Sequence, residues 1–153
     1  MSIEVSVEKS LTDELANVLE AHWIFCTSTT PIEHVYVLDA SKLFTTGITV
    51  FGARVNGELL GVGALRVLSA KHAELKSMHT VEKSRGLGIG KAMVKHIEEF
   101  AKAHGIERIS LETGTSEPFK PARNLYSSLG YGKSEAFGDY VLSEDNTYMT
   151  KVI

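Results

Sequence analysis

A glycine-rich turn between a strand-like run and a helical run is the feature that most constrains this chain. Residues 85–91 read Arg-Gly-Leu-Gly-Ile-Gly-Lys. The run before them, Ala73–Val81, contains no Gly or Pro, which predicts a strand. After them, apolar residues recur at intervals of three and four, which predicts an amphipathic helix that ends at Gly105. The stripe consists of Ile89, Met93, Val94, Ile97, Phe100 and Ala101.

This order of strand, glycine turn and helix predicts an anion site. Small residues let the backbone approach a ligand closely, so that successive N–H groups converge on it. The positive end of the helix dipole then favours negative charge at the same place.

Two familiar phosphate loops do not match the turn. A dinucleotide fingerprint needs a third glycine where this chain has Lys91 or, in the next frame, Met93. A mononucleotide P-loop needs glycine in place of Arg85, and Ser or Thr in place of Ala92. These mismatches disfavour a dinucleotide-dependent oxidoreductase.

Composition predicts one globular domain, 1–153. The apolar fraction is 43% and the charged fraction 23%, both ordinary for such proteins. A net charge of −3 offers no basic field for nucleic acid or an anionic membrane. No run approaches the ~18 apolar residues of a membrane span, and the first residues do not resemble a signal peptide. A single cysteine, Cys26, excludes an internal disulfide, and we expect a cytoplasmic location.

Periodicity outlines the remaining elements. Asn56-Gly57 between two β-rich runs predicts a hairpin. A strand, helix and strand around the glycine turn predict a parallel, right-handed crossover. The other predicted elements are a strand at Ile3–Val7, a helix from Leu11 to Phe25, a loop at Thr27–Pro31, strands at Ile48–Val55, Leu59–Leu68 and Ile109–Thr113, a helix at 116–129 and a strand at Tyr148–Val152.

A second motif follows the crossover. Residues 122–131 read Ala-Arg-Asn-Leu-Tyr-Ser-Ser-Leu-Gly-Tyr. This segment, preceded by R-x-x-G-x-G at a distance of one helix and one strand, resembles the GNAT superfamily of N-acetyltransferases. The resemblance implies a single mixed α/β domain. Its central sheet would be twisted and mostly antiparallel with one parallel crossover, flanked by about four helices.

The resemblance also implies acetyl-coenzyme A as co-substrate, and no metal. In the family the glycine loop wraps the pyrophosphate. Backbone groups of the strand before it pair with the pantetheine arm and stabilise the acyl oxygen as it becomes negatively charged during the reaction. The matching loop residues are Arg85, Gly86, Leu87, Gly88, Ile89, Gly90 and Lys91, and the matching strand residues are Met78, His79 and Thr80.

Transfer to an amine needs a proton acceptor and a proton donor. A lysine-like amine has a pKa of about 10.4, so at neutral pH it is protonated and cannot attack. Glu74 lies eleven residues before Arg85, the spacing of the catalytic glutamate in histone-acetylating relatives, and His79 is the alternative base. Either could instead be an ordinary strand residue. Tyr126 matches the tyrosine that protonates the departing thiolate in the family.

The chain departs from the family pattern at one position. Many members carry Asn seven residues before the tyrosine, where this chain has Phe119, and Asn124 does not take over that role. Cys26 is expected to pack rather than to react. By position in the chain, Thr30–Asp39, with Glu33, His34, Tyr36 and Asp39, is expected to form the acceptor wall.

The sequence therefore predicts an acetyl-coenzyme A-dependent N-acetyltransferase that acts on a small-molecule or peptide amine. A non-catalytic acyl-coenzyme A-binding or regulatory module on the same fold is the alternative. No nucleic acid or membrane partner is expected, and a homodimer stays open.

Overall fold

The computed structural model of the protein describes residues 1–37 and 39–153. These residues form seven strands and four α-helices, in which the predicted elements keep their predicted order and the helix at Ala40–Leu43 and the strand at Gly132–Ser134 are additional. The strands are β1 (Glu4–Glu8), β2 (Ile48–Val55), β3 (Glu58–Ser69), β4 (His72–Thr80), β5 (Arg108–Gly114), β6 (Gly132–Ser134) and β7 (Asn146–Val152), and the helices are α1 (Asp13–Thr29), α2 (Ala40–Leu43), α3 (Ile89–Ala103) and α4 (Lys120–Ser128). Short 3-10 turns lie at Ile32–His34, Glu82–Ser84 and Glu117–Phe119.

All strands form one sheet in the order β1-β2-β3-β4-β5-β7-β6. Every neighbouring pair is antiparallel except β4 and β5, which are parallel. Helix α3 makes the crossover between these two strands, as the sequence predicts. The expected mixed α/β fold, with a mostly antiparallel sheet and four helices, is confirmed.

The sheet has an apolar core on each face. One core contains α1 and α2 residues such as Leu15 and Leu43, packed on β2 and β3. The other contains the predicted stripe of α3, including Met93 and Ile97, and the buried ring of Tyr131. Helices thus cover both faces of the sheet.

A bulge in β4 changes which side chains face α1. Ala64 pairs with Lys76 and Val62 pairs with His79, so two residues of β4 stand opposite one of β3. Ser77, in the bulge, has a φ of 54°. Because the extra residue reverses the alternation, Lys76 and His79 share the α1 face although they are three residues apart.

Strands β4 and β5 pair over only part of their length. Their parallel register ends at Leu75–Leu111. Beyond it β4 continues to Thr80, while β5 continues to Gly114 beside β7. The space between the separating strands is called the seam below.

Two local predictions had different outcomes. The hairpin at Asn56-Gly57 is confirmed, with φ values of 51° and 81° at the two residues. The loop predicted from Thr27 is wrong, because α1 continues to Thr29. The hydroxyls of Thr27 and Thr29 donate to backbone carbonyls of Trp23 and Phe25 at 2.9 and 2.6 Å, so these polar residues remain compatible with the helix.

Candidate active site

A cavity of about 460 Å³ opens at the seam. Its walls come from α1, the segment 30–37, β4, the glycine turn, β5 and α4. It is continuous from the N-terminus of α3 to the polar side chains on the opposite side of the sheet. The two sequence motifs therefore lie on one cavity.

The glycine turn forms one end of this cavity. Gly86 and Gly88 have φ values of 81° and 85°, a conformation that favours glycine. Gly88 is the N-cap of α3, so the N–H groups of the first helical turn have no acceptor within the helix. Of the seven predicted loop residues, all but Leu87 line the cavity. The Leu87 side chain is 48% exposed, so any role in binding would rest on its backbone.

Arg85 holds the turn against α1. Its Nε donates to the carbonyl of Thr80 at 3.2 Å, and its guanidinium lies 5.5 Å from the centre of the Phe25 ring. The terminal nitrogens of the guanidinium make no hydrogen bond among the described residues. A cation is thus positioned at the mouth of the cavity.

Phe119 lines the cavity where many family members carry Asn. Its ring packs edge-on against Phe25, with the ring centres 5.0 Å apart. Asn124 is exposed on the outside of α4 and does not line the cavity. The wall at this point is aromatic and cannot supply an amide hydrogen bond.

The end of β4 forms the middle of the cavity. Met78, His79 and Thr80 all line it, as predicted. The Ser77 hydroxyl in the bulge is buried and has no hydrogen-bond partner among the described residues. Because β5 has turned away here, backbone groups on this edge of β4 are available to a ligand in extended conformation.

Two histidines meet beside this strand. Nδ1 of His22 lies 3.2 Å from Nδ1 of His79, so one ring donates a hydrogen bond to the other. Burial and the neighbouring His79 lower the pKa of His22 to about 3. Burial and Arg85 lower the pKa of His79 to about 4. Both rings are therefore neutral at pH 7, and His79 is a weak base.

Cys26 completes this part of the wall as a packed thiol. Its Sγ lies 3.7 Å from Nε2 of His22. Burial, and secondarily Glu112, raise its pKa to about 12. The protonated thiol is not a nucleophile at neutral pH.

Glu74 lines the cavity and is 1% exposed. Its Oε2 accepts a hydrogen bond from the Tyr140 hydroxyl and lies 3.4 Å from Lys76 Nζ. Lys76 also donates to the Tyr140 hydroxyl at 2.8 Å. The other carboxylate oxygen is buried without a hydrogen-bond partner among the described residues, 3.9 Å from Arg66. Glu74 is thus on the cavity but is largely committed to internal contacts.

Glu112 is a candidate site residue that the sequence analysis did not single out. It lies on β5, lines the same cavity, and accepts a hydrogen bond from Asn146 Nδ2 at 2.9 Å. Burial raises its pKa to about 7, partly offset by the Asn146 hydrogen bond. The available signal was its place between Leu111 and Thr113, which puts it on the face opposite the apolar stripe of β5.

Tyr126 reaches the cavity from α4 and is 6% exposed. No hydrogen bond of its hydroxyl is found within the described part of the chain. Burial and the charge of Glu112 raise its pKa well above the usual range, so the phenol stays protonated. It is a proton donor pointed at a site that already contains a carboxylate.

The acceptor wall predicted at Thr30–Asp39 is formed in part. His34 and Tyr36 line the cavity, whereas Glu33 is exposed and Asp39 instead caps α2. Leu38 lies outside the described residues. The Tyr36 ring packs edge-on against Tyr140, which brings this segment against the loop before β7.

Residues 1–37 and 39–153 contain neither a cluster of metal ligands nor a membrane-spanning helix. No three His, Cys, Asp or Glu side chains are arranged to hold a metal ion. No helix has both the length and the apolar character needed to cross a membrane. The cytoplasmic location expected from the sequence stays a prediction.

Comparison with known families places the fold and site in context. The model of the acetyltransferase (GNAT) family matches residues 15–131, which is most of the chain. The chain belongs to the GNAT acetyltransferase family. The match runs from α1 to the end of the second motif and so includes both motifs from which the resemblance was predicted.

Relatives agree with this assignment. The chain is 38% identical over 138 residues to the uncharacterized N-acetyltransferase YsnE of Bacillus subtilis, covering 90% of this chain and 91% of the relative. It is 34% identical over 120 residues to the uncharacterized N-acetyltransferase YedL of Escherichia coli, covering 78% and 76%.

Solved GNAT structures share the fold. The PaiA N-acetyltransferase of Thermoplasma acidophilum, solved in complex with coenzyme A, has a TM-score of 0.75 at 20% identity and 100% coverage of both chains. A GNAT family acetyltransferase of Elizabethkingia anophelis, solved with acetyl-CoA bound, has a TM-score of 0.73 at 16% identity, covering 99% of this chain and 98% of the other.

Proposed function

We propose that this GNAT protein transfers the acetyl group of acetyl-coenzyme A directly to an amine of a small molecule or peptide. The observation that carries the proposal is the single cavity through the seam. It joins the N-terminus of α3, where free N–H groups would suit an anion, to the phenol of Tyr126 and the carboxyl groups of Glu74 and Glu112. An acyl carrier with phosphates at one end and a thioester at the other would match this arrangement, with its phosphates at the helix terminus and its thioester beside the phenol and the carboxyl groups.

The residues present fit such a carrier. The glycine turn leaves the N–H groups of α3 free for a pyrophosphate, and Arg85 adds a positive charge at the mouth. The seam leaves an edge of β4 free for an extended chain with amide groups. The unpartnered Ser77 hydroxyl lies on the same stretch. Two structural neighbours were solved with coenzyme A or acetyl-CoA bound, which supports binding of a carrier of this kind.

Acetyl-coenzyme A would supply an activated acyl group and a thiolate leaving group. The phenol of Tyr126 is the proton donor that we propose for the departing sulfur, because it is buried, protonated and without an internal partner. Backbone N–H groups near the β4 bulge are the proposed donors to the acyl oxygen as it gains charge.

Two carboxyl groups on the cavity could accept the proton of the amine. Glu74 is the base predicted from the sequence and Glu112 is the one added by the structure. His79 is a weaker candidate, because its Nδ1 contacts His22 and its pKa is lowered to about 4. Glu112 has a pKa raised to about 7 by burial, which suits a base near neutral pH.

The reaction is tested with purified protein, acetyl-coenzyme A and a panel of amines. The panel contains spermidine, L-lysine, L-aspartate, a glycyl dipeptide, benzylamine and aniline, with released thiol and acetylated product both measured. We expect turnover with at least one amine, and a rise in melting temperature with acetyl-coenzyme A but not with NADH or ATP.

The controls separate catalysis from binding. A shift in melting temperature without acetylation of any amine would support a non-catalytic acyl-coenzyme A-binding module instead. Absence of both the shift and the turnover would contradict the proposal itself.

A further inference from the structure

We infer that Glu112, held in place by Asn146, is the group that takes the proton from the acceptor amine. The inference rests on the proposed acetyl transfer and assigns one of its steps to a specific side chain. Neither Glu112 nor Asn146 belongs to the two motifs of the family match.

The position of Glu112 in the sheet directs it into the seam. Leu111 is the last residue of β5 that pairs with β4, so Glu112 is the first beyond the parallel register. On its other side β5 stays paired with β7, where Glu112 stands opposite Tyr148. The side chain therefore emerges from an anchored strand at the point where β4 and β5 separate, and it lines the cavity there.

Hydrogen bonds orient the carboxyl group with one oxygen free. Asn146 Nδ2 donates to Glu112 Oε1 at 2.9 Å and to the carbonyl of His34 at 3.0 Å. The Ser143 hydroxyl donates to Asn146 Oδ1, which fixes the direction of the amide. No hydrogen bond to Glu112 Oε2 is found among the described residues, so this oxygen remains available to an amine.

Charged and titratable groups face Glu112 from every neighbouring element. Lys76 and Glu74 face it from β4, and the Asn146 amide contacts it from β7. The other groups within reach of its charge are Cys26 of α1, Tyr126 of α4, Tyr140 of the loop before β7 and Tyr148 of β7. All of these are weak acids with raised pKa values, so Lys76 is the principal neighbouring cation.

This environment suits a base at neutral pH. The pKa of Glu112 is raised to about 7 by burial and by Glu74, against the opposing effects of Asn146 and Lys76. A group with a pKa near the working pH is both available as a base and strong enough to act as one. Glu74, by contrast, is 1% exposed and binds Tyr140 and Lys76 through Oε2.

The protons balance as follows. An ammonium acceptor gives its first proton to Glu112 Oε2, which passes it to water, and the amine nitrogen then attacks the acyl carbon. As the C–N bond forms and the C–S bond breaks, Tyr126 gives its proton to the sulfur. The second proton leaving the nitrogen restores the tyrosine. The products are the amide, the free thiol and one proton released to water.

The first test follows the rate as a function of pH. In the wild type we expect kcat/KM for an aliphatic amine of the panel to rise with pH and to level off above about 7, because only the ionised carboxylate accepts a proton from the ammonium form. Glu112→Gln should lose at least ~100-fold of the rate at pH 7 and should lose the levelling-off, because its remaining rate rises with the fraction of free amine up to the pKa of the amine. Its rate on aniline, which is already a free base at this pH, should fall far less. Glu112→Ala should regain part of its rate when formate is added.

Matched variants separate a base from a structural carboxylate. Glu117→Gln changes an exposed carboxylate outside the cavity and should leave the rate unchanged. Glu74→Gln should retain the levelling-off above pH 7. The inference is overturned if Glu74→Gln loses the levelling-off and Glu112→Gln keeps it, or if Glu112→Gln loses equal activity on both amines.

A second measurement does not depend on finding an acceptor. The Glu112 carboxyl signal, assigned by its absence from Glu112→Gln, is titrated by 13C NMR in glutamate-labelled protein. A midpoint near 7 is expected, and a midpoint near the ordinary glutamate value of about 4.3 overturns the inference. If the NMR midpoint is near 7 and no amine is acetylated, it is the proposed function that fails.

Discussion

The ring of Phe119 lies directly over the Cα of Gly114, the last residue of β5. A Cβ placed on Gly114 would lie 2.2 Å from Cδ2 of that ring, which is closer than atoms can approach. The pair therefore joins the end of β5 to the start of α4 and fixes the aromatic wall of the cavity.

Gly114→Ala should consequently destabilise the protein by about 1–3 kcal/mol, because the added methyl group must displace the ring. Urea unfolding at pH 7.5 measures the change. The control is the same substitution in a Phe119→Leu background, where the smaller side chain should reduce the added cost. An equal loss of unfolding free energy in both backgrounds would show that contact with the Phe119 ring is not what makes Gly114→Ala unfavourable.

Tyr126→Phe should lower kcat at least ~10-fold and leave the dissociation constant of acetyl-coenzyme A nearly unchanged. The variant loses only a hydroxyl that has no partner in the described chain and that we propose as the proton donor to the departing sulfur. Steady-state rates and cofactor binding are measured on the same preparation.

Tyr131→Phe is the matched control for Tyr126→Phe. The Tyr131 hydroxyl donates to Glu98 Oε2 at 2.9 Å, within the core. Removing this hydroxyl should therefore lower the free energy of unfolding by about 1–3 kcal/mol and leave kcat unchanged. If chemistry is rate-limiting and Tyr126→Phe keeps a rate within twofold of wild type, the proton donor is water rather than Tyr126.

Arg85→Ala should weaken coenzyme A binding by ~10-fold at low ionic strength, the effect expected for one charge-assisted hydrogen bond to phosphate. The loss should shrink as salt is added, because the site is exposed. Calorimetric titration at two salt concentrations provides the measurement. Lys83→Ala removes an exposed cation paired with Glu58 and should bind normally. Similar losses in both variants would indicate a general charge effect.

The histidine pair makes stability depend on pH. In the folded state the pKa of His22 is lowered to about 3 from 6.5, so the unfolded chain binds more protons between these values. The stabilisation is complete above about pH 6.5 and is lost as pH falls toward 3, with an upper limit of about 5 kcal/mol. The free energy of unfolding, measured with urea, should be lower at pH 5 than at pH 7.5. In His22→Gln the difference between the two pH values should be smaller. An unchanged difference would assign the pH dependence to other groups.

Much of the fold could be predicted because its signals are local. Asn56-Gly57 specifies a tight turn by φ alone, and the apolar stripe of α3 specifies a buried face. The end of α1 could not be predicted in this way. The hydroxyls of Thr27 and Thr29 can terminate a helix or bond back within it, and tertiary packing decides between these outcomes.

The candidate site was predictable in its backbone and less so in its side chains. The glycine turn and Tyr126 fall on the cavity because motif spacing determines their place. Glu112 escaped notice because its environment comes from residues far along the chain, such as Asn146 and Lys76. The position of the bulge at Ser77 could not be predicted from side-chain alternation, because the bulge adds one residue to β4 and no Gly or Pro marks the place.

The seam also divides β4 into two halves with different exposure to solvent exchange. Up to Leu75 the strand is hydrogen-bonded within a continuous sheet on both sides, whereas from Lys76 onward β3 is its only neighbouring strand among residues 1–37 and 39–153. Amide deuteration in the free protein should therefore be slow in the first half and faster in the second. A ligand bound in the seam would pair with the free edge of β4 as an added strand. The whole length of β4 would then have hydrogen-bonded neighbours on both sides only in the ligand-bound protein.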